Sequence, residues 1–123
     1  MANAITFVNL TDTPISLETI HGEQIRLPAL DKRVRPPKVP NQIVKANTIG
    51  GMPFEVRFKR EVRNLPPPVE GTVYLVTGMI SEVAERDDVL TVSETGALWH
   101  PKEDRIVAYR KLVRYTRLIT ERP

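Results

Sequence analysis

A chain of 123 residues, 41% hydrophobic and 27% charged with a formal net charge of +3, has the size and composition of one globular domain and not of a disordered tail. It has no cysteine, which excludes disulfide staples, thiolate metal sites and thiol catalysis. No apolar run approaches the roughly 20 residues that a membrane-spanning helix needs, so the core must hold the fold alone or with a second copy.

In chain order, residues 5–10 are β-branched and aromatic and stop at the turn cluster Thr11-Asp12-Thr13-Pro14, which predicts a first strand. Residues 15–19 and 24–27 alternate apolar and polar around His21-Gly22-Glu23, the pattern of a hairpin. Arg35-Pro36-Pro37-Lys38-Val39-Pro40 lacks the amide donors of a central strand; it reads as a stiff crossing loop in preference to a polyproline ligand. Residues 42–45 give a short strand ended by Asn47 and Gly50-Gly51. Residues 54–62 alternate most cleanly, with Phe54, Val56 and Phe58 expected to bury on one face and Glu55, Arg57 and Lys59 to meet solvent or a ligand.

Past the proline run at 66–68, residues 72–76 form a near-continuous apolar strand, expected to be buried on both faces. Thr77 is placed to cap a short helix over 78–85 that packs Met79, Ile80, Val83 and Ala84 on one side. Arg86-Asp87-Asp88 ends it. Residues 89–92 return to extended structure, 93–104 read as a loop holding Trp99, and 105–115 read as one long final strand. The fold class that follows is mostly β (α+β): a single small domain over 1–123, its antiparallel sheet curled as a barrel or sandwich, with one short helix after the central strand and a frayed tail at 116–123.

No catalytic constellation emerges. Arg86, Asp87 and Asp88 invite a cation or proton-sharing role, yet adjacent residues of an extended chain point to opposite sides, and a structural turn is the stronger reading. His21 and His100 lie far apart in sequence in predicted loops, so neither a metal nor any other cofactor is expected. No Gly-x-Ser-x-Gly elbow supports acyl transfer. Asn9-Leu10-Thr11 matches a glycosylation acceptor, but Met1-Ala2-Asn3-Ala4 begins no readable secretion signal, and the expected compartment is the cytoplasm or a virion assembled there.

Charge is segregated along the chain. Basic residues crowd 32–63, acidic ones 82–104, and a basic end follows. Such asymmetry steers an acidic protein or an anionic ligand, or lets opposite faces of two subunits meet. Arg57, Lys59, Arg86 and Arg110, with Asp87 and Asp88, are the candidate ligand-binding residues, and Arg57, Lys59, Arg110 and Arg114 those for a weaker nucleic-acid reading.

Asn9-Leu10-Thr11, Gly50-Gly51-Met52-Pro53, Asn64-Leu65-Pro66-Pro67-Pro68, Gly71-Thr72-Val73-Tyr74-Leu75-Val76-Thr77, Arg86-Asp87-Asp88-Val89 and Arg105-Ile106-Val107-Ala108-Tyr109-Arg110 together resemble a family of small uncharacterised proteins of bacteria and their phages. The resemblance spans nearly the whole chain and carries no activity with it. It departs at Thr77-Gly78-Met79, where similar sequences place Ser-Ala-Leu. The expectations about function are a non-catalytic binding or assembly domain, homo-oligomeric and free of the membrane; against it stand a pocket for a nucleotide-like anion and a nucleic-acid-binding accessory.

Overall fold

The computed structural model describes residues 4–116. All of the expected frayed tail except Thr116 lies outside the described residues. The chain runs β1 (Thr6–Asn9), β2 (Ile15–Glu18), β3 (Gln24–Leu27), β4 (Val44–Ile49), β5 (Met52–Arg57), β6 (Thr72–Leu75), α1 (Gly78–Ala84), β7 (Val89–Val92), a 3-10 turn (Glu94–Gly96), β8 (Ala97–Trp99), β9 (Ile106–Tyr109) and β10 (Leu112–Arg114). The mostly β reading with one helix after a central strand therefore holds.

Two four-stranded sheets stack on each other, in the orders β1-β6-β7-β10 and β3-β2-β9-β8, while β4 and β5 form a separate two-stranded sheet among the described residues. Neither sheet closes into a barrel, and neither is purely antiparallel. β6 runs parallel to both β1 and β7, and β2 runs parallel to β9; β2–β3, β8–β9 and β7–β10 are the antiparallel pairs. The helix explains part of the correction, because a strand that leaves through α1 and returns beside itself must come back parallel.

β6 is the centre of the body. Val73 and Leu75 point at the second sheet, where they meet Ile15 and Leu17 of β2, Ile25 and Leu27 of β3, and Tyr109 of β9. Tyr74 and Val76 point the other way, under Ile80 and Ala84 of α1 and against Leu30 and Leu65 of the crossing loops. Leu75 and Val89 are 0% exposed, so the expectation that residues 72–76 bury both faces is met and the sheet is a middle layer.

Three local readings change. Ser81, not Met79, is the fully buried residue of α1; its hydroxyl donates to the Val89 carbonyl at 3.4 Å, while Met79 faces outward. Thr77 occupies the cap position without a side-chain cap bond. The expected loop at 93–104 contains β8, which pairs with β9, and the expected single strand at 105–115 breaks at Arg110 and Lys111 into β9 and β10, one in each sheet. That corner is tight: a Cβ on Gly96 would stand 2.4 Å from the Lys111 Cβ and 2.9 Å from its backbone nitrogen. Among the described residues no helix is long and apolar enough to cross a membrane.

Candidate functional site

The Asn-Leu-Thr segment is a fastening at the end of β1. Asn9, buried, donates from Nδ2 to the carbonyls of Thr13 (2.8 Å) and Pro28 (3.1 Å), and its Oδ1 accepts from the Thr11 amide at 2.9 Å and the Thr11 hydroxyl at 2.6 Å. One side chain thus ties the β1–β2 connection to the end of β3 and leaves none of its hydrogen-bonding groups idle.

Arg86 makes a second fastening. Its Nε and Nη2 donate to the two oxygens of Asp88 at 2.9 and 2.7 Å, and Nη1 donates to the Pro66 carbonyl at 2.9 Å. The Arg86 guanidinium holds the Asp88 carboxyl below its usual value of 3.8 by hydrogen bonding, against the opposing effect of burial, and the pairing raises Arg86 in turn. The Tyr74 hydroxyl adds a bond to the Pro67 carbonyl at 3.3 Å, so the proline run is pinned to the end of α1 and to β6. Asp87 points outward, and its backbone carbonyl accepts from Arg114 Nε at 3.0 Å.

The remaining sequence candidates sit elsewhere. Arg110 pairs with Glu18 at the rim of the second sheet. Arg57 and Lys59 lie at the end of β5, Arg57 beside Glu55 at 3.4 Å. The six candidates therefore divide among three separate elements, and Arg86 and Arg110 already hold carboxylates. Of the two histidines, His100 accepts the amides of Lys102 and Glu103 at its Nδ1, at 3.1 and 3.0 Å. Among the described residues no group of three or more His, Asp or Glu is gathered to hold a metal ion.

Where the parallel strands β1, β6 and β7 end, a crevice of about 560 Å³ opens. This is where open parallel sheets collect ligands. Among the described residues its walls carry the hydroxyls of Thr11, Thr77, Ser93 and Tyr115, with the acids Asp12 and Glu94 and no cation.

The largest departure from expectation is the β4–β5 hairpin. Its two-residue turn, Gly50-Gly51, has φ of +55° and +78°, the doubly left-handed backbone that glycine alone adopts freely and that matches the twist of the flanking strands. The register pairs Val44 with Arg57 through to Ile49 with Met52, so β4 extends past Asn47 to the glycines. Alternation then sorts the side chains: Val44, Ala46, Thr48, Glu55 and Arg57 on one face, and Ile49, Met52, Phe54 and Val56 on the other, continued by Ile43 and Phe58. The apolar face was expected to bury, yet every residue of both strands is exposed, and none belongs to either hydrophobic cluster of the body. Lys45 shares this face and lies 5.7 Å from the centre of the Phe58 ring.

No protein-family model, no curated protein and no solved structure matches this chain.

Proposed function

We propose that the chain is a non-catalytic assembly domain, phage-borne or bacterial as its sequence resemblance implies, that joins a second copy of itself through the β4–β5 arm. The observation that carries this is an amphipathic arm whose apolar face, among the described residues, joins neither hydrophobic cluster of the body. A two-stranded hairpin by itself is marginal in water, so an arm with this pattern gains most from a surface that covers it. Its six apolar side chains, Ile43, Ile49, Met52, Phe54, Val56 and Phe58, are 36–70% exposed. With full side-chain areas of about 150–250 Å² for the largest, they present on the order of 600 Å², the upper end of what a monomer leaves uncovered.

A second copy is the occupant that the area favours. Two arms laid face to face, about 10 Å apart like the layers of a sandwich, remove roughly 1,200 Å² from water, the lower bound of a specific interface. The contact is isologous, so it closes after two copies. The polar residues that sequence reasoning singled out are consistent with a non-catalytic role, since Arg86 and Arg110 hold Asp88 and Glu18.

Light scattering on a dilution series tests the proposal against a variant in which residues 45–56 are replaced by Gly-Gly. The full chain is expected to show twice its single-chain mass, and the shortened chain the single mass, with equal melting temperatures once both are diluted to single chains. A full chain that is single at every concentration, or a shortened chain that still doubles, overturns it.

A further inference from the structure

The root of the arm carries a second surface of a different chemistry. Residues 38 and 63 form an isolated antiparallel bridge, with Lys38 N–H to the Arg63 carbonyl at 3.1 Å and Arg63 N–H to the Lys38 carbonyl at 2.8 Å. Directly opposed residues of a bridge put their side chains on the same side, and like charges so placed repel. Two hollows meet here and share Arg63, one of about 420 Å³ holding Arg35 and Lys38, the other of about 300 Å³ holding Lys59 and Arg60. Glu61 is the one acid in either lining. Among the described residues none of the five cations has an ion pair or a side-chain hydrogen bond, whereas Arg33, Arg57, Arg86, Arg105 and Arg110 are all paired.

We infer that this root is a binding site for the phosphodiester backbone of a nucleic acid. Pro36, Pro37 and Pro40 stiffen one side of the bridge, and Glu61 is the single acid set against five cations, so a polyanion offsets positive charge that the fold leaves unpaired. The cations are spread over two adjoining hollows instead of converging in one. That distribution suits successive phosphates of a strand better than one small anion, and it calls for no base-specific contact. None of the five cations belongs to the paired arm face, although Ile43 and Phe58 line both that face and the Lys59–Arg60 hollow.

Fluorescence anisotropy of labelled single-stranded and duplex DNA on the full chain, between about 50 and 200 mM salt, tests it. Engagement of all five cations gives a slope of log affinity on log salt near −3.5 for the single strand and −4.5 for the duplex, a loss of at least about a hundredfold across that range. Arg63→Ala keeps the backbone bridge and is expected to make the slope shallower by about 1; Lys59→Ala is the substitute should that variant not fold. Arg33→Ala, which removes a cation already paired with Asp31, is expected to change nothing. The inference is overturned by absence of binding at the lowest salt, by a slope that Arg63→Ala leaves unmoved, by equal affinity for polyglutamate, or by inorganic phosphate competing as well per phosphate as DNA.

Discussion

Phe54→Asp separates the arm from the body most sharply. Phe54 lies near the middle of the apolar face and is 38% exposed, which for a side chain of about 200 Å² leaves roughly 75 Å² to be covered by a second copy. Because an isologous contact uses the position twice, the substitution removes about 150 Å² of apolar burial, or close to 4 kcal/mol at 25 cal/mol per Å². The dissociation constant for two copies is thus expected to rise by a few hundredfold to a thousandfold, and further where the two carboxylates face each other. Among the described residues the hydrophobic clusters of the body include none from that face, so the melting temperature of the diluted, single-chain protein is expected to stay within about 2 °C, as for an ordinary surface change. Ala46→Asp, one strand over on the polar face, is expected to leave the constant within a few fold. Sedimentation equilibrium on the three proteins measures all of this. Equal weakening by Phe54→Asp and Ala46→Asp, or a melting temperature that falls as far as the affinity does, would refute an arm that docks by one face and is free of its own core.

Two further outcomes concern the body. Gly96→Ala places a methyl group against the backbone of Lys111 and is expected to cost about 1–3 kcal/mol, read as a melting temperature lower by several degrees; a variant that melts with the parent would contradict so close an approach of the 3-10 turn to the β9–β10 corner. Asp88 has a folded value depressed below 3.8, so its contribution is complete above that pH and disappears as the pH falls through the folded value. Arg86→Ala is expected to cost about 1.5–3 kcal/mol at neutral pH, the range for hydrogen bonds to charged groups, and to flatten the fall of melting temperature on the acid side. Parallel acid limbs for the two proteins would assign that fall to another carboxylate.

Much of the fold was legible because its signals are local. The alternation in β2 and β3, the glycine between them, and the run of apolar residues in β6 each act within a few residues, and the strands form where those residues place them. A strand–helix–strand order at β6, α1 and β7 was also present in the sequence reading, and it is the signal from which parallel pairing could have been drawn. The break at Arg110 and Lys111 was read through as one strand: two consecutive charges interrupt the apolar pattern there, but the corner itself lies against Gly96, which comes from another part of the chain. Charge segregation put all five root cations inside the basic segment 32–63, but not which of its members meet, since Arg35 and Lys38 come beside Arg63 through a bridge between segments 25 residues apart.

Residue order alone determined β1 to β3, the glycine reversal between β2 and β3, the buried double-faced β6 and the apolar face of β5, because backbone preference and side-chain period are properties of neighbours along the chain. Tertiary structure decided which strands lie side by side, which way they run, and that the arm's apolar face stands outside both hydrophobic clusters of the described residues. Alternation specifies that a strand has an oily side; only the arrangement of distant elements in space determines whether anything stands opposite it.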